Sequence, residues 1–248
     1  MCDNDPQVRI PAIQGIIRRR ILANYRADPK VVATMLPPGM RPKLQSGFAM
    51  VGICLIRLEQ IRPKALPFLP GISSENAAHR FAVELDETEA VYIPRRDTDS
   101  RLNNLVGGRI FPGVHHHARF SVRDEQGRIA LQMKSSDDVT SVHVVAQETG
   151  VFPAASCFDS LPAASDFFAA GSRGYSDNLR QRCLDCLDLE IDEWKTTALD
   201  VQKIRSSFFD DPSRFPAGSI EFDHALLMRD ISHEWHSGPA LNPQRWER

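Results

Sequence analysis

Apolar stretches along the chain are short and are separated by polar, proline-bearing segments, which is typical of a protein built mainly from β-strands. The most apolar stretch is Gly47–Leu58, GFAMVGICLIRL, and its length and small residues predict a strand buried on both faces. Ile16–Tyr25 is also β-prone, with a basic centre, and the aspartate–proline step after it favours a strand over a helix. The first part of the chain therefore predicts strands that enter a buried core.

A regular alternation of apolar and polar residues runs through Glu75–Leu85, ENAAHRFAVEL. Successive side chains of a strand point to opposite faces, so His79 and Phe81 share one face while Arg80 and Glu84 share the other. This segment is predicted to be a strand that presents different chemistry on its two sides.

Further strand-like segments follow, separated by turn residues. They are Ala90–Ile93, His115–Arg123, Arg128–Lys134, Thr140–Ala146, Cys186–Ile191, Leu199–Phe209 and Glu221–Asp230. Residues 95–104 and Gly171–Ser176 are polar and are predicted to be loops. Two helices are predicted by their caps: Asp28 with proline after it begins the first, and Ser160 begins the second.

Strands are not regularly separated by helices, so a doubly wound parallel sheet is not expected. The pattern predicts an α+β fold that is mostly β, antiparallel and barrel-like, whose mouth or interior is the default pocket. No repeat or low-complexity linker divides the 248 residues. We expect an N-terminal arm at 1–15, one domain at 16–236 and a C-terminal tail at 237–248.

The overall composition excludes several classes of function. A net charge of −2 and a pI near 6.4 provide no basic patch for nucleic acid and no attraction to anionic membranes. The N-terminus has no basic region followed by an apolar run, and no apolar run approaches the ~20 residues of a membrane helix. Five scattered cysteines do not form a secreted disulfide framework, so a reduced, cytoplasmic protein is expected.

The most charged part of the chain is Ala90–Phe120, between two strand-like runs. It holds arginines and acids in close succession: Arg95, Arg96, Asp97, Arg101 and Arg109. Arginine forks bind carboxylates and phosphates through paired hydrogen bonds, so this stretch is a candidate anion clamp. An internal Arg/Asp network that fixes a loop or a subunit contact is an equally good interpretation of the spacing.

Three consecutive histidines, His115–His117, lie in the same stretch. In a strand His115 and His117 point the same way and could bind a metal with a third ligand. No acidic partner follows at a fitting spacing, and the single Cys183–Cys186 pair lacks the second pair of a zinc site. No metal and no cofactor are therefore predicted. Either His115 or His117 is expected in a polar pocket, and His115 is the candidate binding residue.

Several segments, taken in order, resemble the acetoacetate decarboxylase superfamily, specifically an uncharacterised branch with a domain of unknown function. The segments are LPPGMRP at Leu36–Pro42, ENAAHR at Glu75–Arg80, VYIPRRDTDSRL at Val91–Leu102, GGRIFPGVHH at Gly107–His116, GSRGYS at Gly171–Ser176 and FDHALLMR at Phe222–Arg229. The resemblance covers most of the chain, from about Arg20 to Trp235. It implies a cone-shaped antiparallel β-barrel with a few peripheral helices, a buried central pocket and a homo-oligomer.

The resemblance also implies a departure in chemistry. In the decarboxylases a Pro-Lys-Lys step supplies the lysine that forms a Schiff base, and the matching step here is Pro94-Arg95-Arg96. A guanidinium stays protonated and is a poor nucleophile, so Schiff-base chemistry is not expected at that step. Lys134, from a neighbouring strand, is the alternative amine.

Two hypotheses follow. In the first, the chain is an enzyme with a lyase-type activity on a small oxo acid or related carbonyl compound. Catalysis would rest on Arg95, Glu75 and Glu84, and substrate binding on Arg80, Arg96, Asp97, Arg101, Arg109, His79 and His115. In the second, it is a non-catalytic small-molecule-binding or oligomeric structural protein that retains the fold. The expected partner is a small carboxylate, without nucleic acid or membrane.

Overall fold

The computed structural model describes residues 12–100, 113–178 and 183–241, and all structural statements below concern these ranges. They form thirteen strands and two helices. The strands are β1 Ile13–Ala27, β2 Arg41–Pro42, β3 Leu44–Gln45, β4 Phe48–Pro63, β5 Ile72–Leu85, β6 Thr88–Thr98, β7 His115–Glu125, β8 Arg128–Ser135, β9 Ser141–Thr149, β10 Arg173–Asn178, β11 Cys183–Ile191, β12 Thr197–Ser206 and β13 Ile220–Leu241; the helices are α1 Pro29–Ala33 and α2 Leu161–Ala169.

All thirteen strands belong to one sheet whose pairings close on themselves. From β6 the path runs through β7, β8, β9, β12, β13, β1, β4 and β5 and returns to β6. A second path joins β6 to β13 through β10 and β11. Only the pairings of β6 with β7 and with β10 are parallel, so the expectation of a mostly antiparallel β protein is confirmed.

The predicted strand at Gly47–Leu58 is confirmed, apart from Gly47, as the first part of β4, and after Phe48 it is buried on both faces. Ile53 and Leu55 enter one apolar core, whereas Met50 and Ile56 enter a second core on the other side. Because neighbouring side chains of a strand alternate, a continuous apolar run can serve two cores at once. Strand β4 therefore separates the two cores.

The predicted alternation of β5 is also confirmed. His79 and Phe81 face the first core, and Arg80 lies on the opposite side, against Phe168 of the second core. The second core is closed by α2, which begins where Ser160 accepts a hydrogen bond from the Ala163 amide at 3.3 Å.

Strand β6 extends further than the alternation predicts. The expected strand ended at Ile93, but β6 continues through Pro94 to Thr98, so the prediction of a loop from residue 95 is wrong for 95–98. The register against β5 shifts between His79 and Phe81, opposite the proline. Such a bulge accommodates a residue without an amide hydrogen, and it allows the strand to continue.

Two other segments differ from the sequence prediction. Gly171–Ser176, expected as a loop, contributes to β10, which pairs with β11 and β6. The last strand runs on to Leu241 because its far half pairs with β11, so part of the expected tail is strand. Pairing partners distant in the chain decide both segments. In the described ranges, no helix has the length and apolar character needed to cross a membrane.

Candidate functional site

A cavity in the second core is built on one row of the sheet. Leu22, Cys54, Ala78, Arg96 and His115 are successive register partners across β1, β4, β5, β6 and β7, and all five line the cavity. The middle of this row carries small side chains and its ends carry long ones. The difference in side-chain length leaves an open space of about 130 Å³ above the sheet.

Three arginines line this cavity: Arg20 from β1, Arg80 from β5 and Arg96 from β6. Arg20 contacts the Cys54 sulfur, with its Nε donating at 3.4 Å. Arg96 donates from Nε and Nη2 to the Ser176 hydroxyl, at 3.2 and 3.0 Å. The remaining wall is largely apolar and includes Ile56, Leu58, Ile93, Phe168, Leu187 and Trp235.

None of these three arginines forms an ion pair with a carboxylate of the described residues, although many other arginines of the chain do. Burial lowers the pKa of Arg80 and of Arg96 to about 10, so both remain charged at neutral pH. Buried cations are costly unless an anion accompanies them. The cavity is therefore strongly positive and has the chemistry to accept an anion.

Arg80 is held by a second row of the sheet. His224 of β13, Asn24 of β1, Gly52 of β4 and Arg80 of β5 are successive register partners. Because glycine has no side chain, Asn24 reaches across β4 and its Oδ1 accepts a hydrogen bond from Arg80 Nη2. A Cβ on Gly52 would lie 2.4 Å from the Ala23 carbonyl oxygen and 3.2 Å from Asn24 Oδ1.

The hydrogen bonds of this row run in one direction. The Asn24 amide nitrogen donates to the Leu22 carbonyl at 3.1 Å and lies 2.9 Å from His224 Nε2, which leaves its oxygen for Arg80. His224 Nδ1 lies 2.6 Å from an Asp223 oxygen. A neutral imidazole protonated on Nδ1 satisfies both contacts. Arg80 is thus linked to a carboxylate through two intervening side chains.

Electrostatics agree with this assignment. Burial lowers the pKa of His224, against the opposing effect of Asp223, and this favours the neutral ring. Burial alone would raise the pKa of Asp223, but hydrogen bonds from His224, the Ser156 hydroxyl and the Cys157 amide outweigh it and bring the pKa to about 2. The charge on Asp223 therefore persists and orients the row.

His115, a predicted binding residue, does line the cavity. Burial, and secondarily the charge of Arg96, lowers its pKa to about 3, so the ring is neutral. Its Nδ1 lies 3.3 Å from the Gly113 carbonyl oxygen. His115 can thus serve as a neutral hydrogen-bonding group beside the arginine of the adjacent strand.

Arg95, predicted to be catalytic, does not line the cavity, because alternation along β6 turns it away when Arg96 faces inward. Its Nη2 donates to Asp97 at 2.8 Å and to both oxygens of Asp137 at 2.9 Å. Asp97 borders the cavity, but its carboxylate accepts from Arg95 and from the Thr140 hydroxyl at 3.2 Å. Arg95 and Asp97 therefore belong to an internal Arg/Asp network, which is the alternative to an anion-binding site that the spacing allows.

Glu75 and Glu84, the other predicted catalytic residues, also lie outside the cavity. Glu75 accepts from Arg19 Nη2 at 2.7 Å, and burial raises its pKa despite that neighbour. Glu84 is partly exposed and lies 3.6 Å from Arg41. The alternation of β5 separates Glu75 from Arg80, and Glu84 stands at the edge beside β2.

His79, predicted to bind substrate, is fully buried in the first core. Its ring lies 4.5 Å from that of Phe208, and burial lowers its pKa to about 3. Two further predicted binding residues, Arg101 and Arg109, lie outside the described residues.

No lysine lines the cavity; all six lysines of the chain lie within the described ranges. Lys134, the alternative amine, is exposed at the surface and pairs with Asp138 at 2.8 Å. Among the described residues, one cluster has metal-binding geometry: Glu190, Glu234 and His236. None of these three lines the cavity, and a Glu234 oxygen already accepts a hydrogen bond from Lys64 Nζ at 2.7 Å.

Sequence reasoning missed Arg20, Cys54, Asn24 and His224. The available signal was a polar residue inside an otherwise apolar strand, since a buried polar group needs a specific partner. Arg20 and Asn24 stand within the β-prone run of β1, and His224 stands within FDHALL of β13. The pattern located the strands, but only the register brings these residues to one site.

Solved structures similar to this chain are acetoacetate decarboxylases and related enzymes. The Legionella pneumophila acetoacetate decarboxylase is 13% identical, with a TM-score of 0.59 over 93% of this chain and 87% of that one. An acetoacetate decarboxylase-like enzyme from Sphingomonas wittichii RW1 is 11% identical, with a TM-score of 0.61 over 94% and 92%. The enduracididine biosynthesis enzyme MppR, in complex with pyruvate, is 14% identical, with a TM-score of 0.57 over 94% and 90%. Because the sequence identities are this low, these similarities establish the fold alone.

A comparison with curated protein sequences found no match. The family model of DUF2071, described as an uncharacterized conserved protein, matches residues 17–217, which is most of the chain. The resemblance stated from the sequence is confirmed by this match together with the acetoacetate decarboxylase-like fold. The chain belongs to the DUF2071 family, and its fold is similar to that of acetoacetate decarboxylases.

Proposed function

We propose that this chain binds a small oxo acid, or a related carbonyl acid, in the cavity of Arg20, Arg80 and Arg96. In this proposal it is a lyase-type enzyme that works without a Schiff-base lysine. The finer features expected from the resemblance belong to the same proposal: a cone-shaped barrel, a homo-oligomer and a cytoplasmic location. A similar fold that binds pyruvate, in MppR, is consistent with a ligand of this size.

One observation carries the proposal: three arginines line a single cavity, and none of them has a carboxylate partner among the described residues. A guanidinium forms short, charge-assisted and paired hydrogen bonds with a carboxylate. A bound carboxylate would both neutralise charge and complete hydrogen bonds in the cavity. The apolar wall formed by Leu58, Leu187 and other side chains would take the carbon chain of the same molecule.

The arrangement also fits polarisation of a carbonyl group. A second guanidinium close to the carboxylate can hydrogen-bond the ketone oxygen and stabilise negative charge that develops there. His115, neutral and beside Arg96, is a candidate for proton transfer in the cavity. Arg95 has no part in this scheme, because its donors are directed to Asp97 and Asp137.

Calorimetric titration with pyruvate and acetoacetate tests the proposal. Wild type should bind at least one acid, and Arg96→Met should weaken it by about 10- to 100-fold, because a hydrogen bond to a charged group contributes about 1.5–3 kcal/mol. Arg119→Met is the matched control, since Arg119 is an exposed arginine of the adjacent strand β7. Borohydride treatment with either acid should leave every lysine unmodified.

The opposite outcomes support the alternative of a non-catalytic structural protein. If wild type binds neither acid and Arg96→Met only lowers the unfolding temperature, the arginines serve the fold. A lysine adduct after borohydride treatment would contradict the absence of Schiff-base chemistry. Circular dichroism of each variant separates loss of binding from loss of folding.

A further inference from the structure

Cys54 lies on the floor of the cavity where the arginines converge. It belongs to the lining row, next to Leu22 and Ala78 on the adjacent strands, and the residue is 7% exposed. Arg20 Nε reaches its sulfur at 3.4 Å. Cys54 also raises the pKa of Arg80, against a larger effect of burial, as a sulfur near that guanidinium would. An anion held by these arginines would therefore lie next to the Cys54 sulfur.

A second observation concerns a hydrogen-bond donor of a lining residue that has no acceptor. Arg80 lines it, is only 5% exposed, and its Nε has no acceptor within the described part of the chain. Buried donors are rarely left without a partner, so an unpaired guanidinium nitrogen indicates a missing acceptor such as a ligand oxygen. This observation is independent of the cysteine, and it concerns an arginine that lines the same cavity.

The other described cysteines have no such surroundings. Burial raises the pKa of Cys157 to about 12 and that of Cys186 to about 11, and neither lines the cavity. Cys183 is buried and does not line it either. Cationic neighbours and access to a ligand distinguish a reactive cysteine from an inert one. Of these four cysteines only Cys54 has both.

We propose that Cys54 is the nucleophile of this cavity and adds reversibly to the carbonyl carbon of a bound 2-oxo acid. The proposal rests on the proposed function. A bond forms between the Cys54 sulfur and C2, the π bond of the carbonyl breaks, and the thiol proton ends on the former carbonyl oxygen. The product is a hemithioketal, and no oxidant, reductant or second reactant is required. The arginines hold the carboxylate and the new hydroxyl during the addition.

Alkylation with 3-bromopyruvate tests the placement of the sulfur. The Cys54 sulfur displaces bromide from the bromomethyl carbon, and peptide mass mapping identifies the modified residue. The measured quantity is the ratio of the alkylation rate with bromopyruvate to the rate with iodoacetamide. This ratio should be about tenfold or more higher at Cys54 than at the thiol of glutathione, because a positive cavity concentrates an anionic reagent. Pyruvate should protect Cys54. Equal preference at Cys54 and glutathione, or earlier modification of Cys157, would overturn the proposal.

Carbon-13 NMR with pyruvate labelled at C2 tests the addition itself. With wild type and with Cys157→Ser, the carbonyl signal of bound pyruvate should be replaced by the signal of a saturated carbon, and with Cys54→Ser it should not. The hydrate of free pyruvate also has a saturated carbon, but its signal would appear in all three samples. If wild type binds pyruvate by calorimetry but its carbonyl signal persists, the nucleophile is refuted while the proposed function stands. If wild type binds no oxo acid, the proposed function itself fails.

Discussion

His79 allows a quantitative test of how the core responds to pH. The ring is fully buried against Phe208, and its Nδ1 has no partner among the described residues. Burial, with smaller effects of Arg95 and Arg214, lowers its pKa to about 3. The unfolded chain therefore binds a proton at His79 below about pH 6.5, while the folded chain does not until about pH 3. Stability falls as the pH falls through this window.

The magnitude follows from the two pKa values. At pH 5 the unfolded state gains RT ln(1 + 10^1.5), which is about 2 kcal/mol, through protonation of this one group. Other groups act in the same window: burial lowers the pKa of His233 to about 4 and raises the pKa of Asp97. A comparison of wild type with His79→Phe removes these shared contributions. Phenylalanine keeps the ring against Phe208 and has no titratable group.

The assay is urea unfolding of both proteins at pH 7.5 and pH 5. The loss of unfolding free energy over this range should be about 2 kcal/mol larger for wild type than for His79→Phe. Any constant effect of the substitution cancels, since only the change with pH is compared. Equal pH dependence in the two proteins would refute the reasoning and would mean that His79 is protonated, or solvated, in the folded chain.

Two further predictions concern the residues beside the cavity. Arg95→Met should lower the free energy of unfolding by about 3 kcal/mol, because it leaves Asp97 buried without its cation. Urea unfolding measures this loss. A loss no larger than that caused by Arg119→Met would contradict the prediction. Asn24→Leu should weaken binding of the oxo acid about tenfold by removing the oxygen that holds Arg80, and calorimetry at neutral pH checks this; unchanged affinity would show that Arg80 needs no such support.

Local patterns were most reliable where one rule governed the outcome. The apolar run of β4 specifies a strand that is buried on both faces, and the alternation of β5 specifies a strand whose two faces differ. Each pattern is compatible with few other structures. The caps at Asp28 and Ser160 specify helix starts, because the side-chain oxygens accept from backbone amides close along the chain. The proline at position 94 was misleading, because a bulge relieves its missing amide hydrogen.

The candidate site was predictable only in part. Arg80, Arg96 and His115 were identified from the sequence and line the cavity, whereas Arg95, Glu75 and Glu84 do not. Arg95 and Arg96 are adjacent and chemically identical, so composition and spacing cannot separate them. One position along a strand exchanges the faces of the sheet, and the register therefore decides which arginine meets a ligand.

By itself the sequence determined the strand-rich character, the family, and the absence of lysine from the Pro94-Arg95-Arg96 step, because these depend on residue identity and short spacing. Tertiary structure decided the site. Arg20 and Arg80 are far apart in the chain and meet only because β1 and β5 both pair with β4. Small side chains on the strands between these arginines leave room for the cavity. The site depends on strand pairing across the sheet, which is a property of the whole fold and not of any short segment.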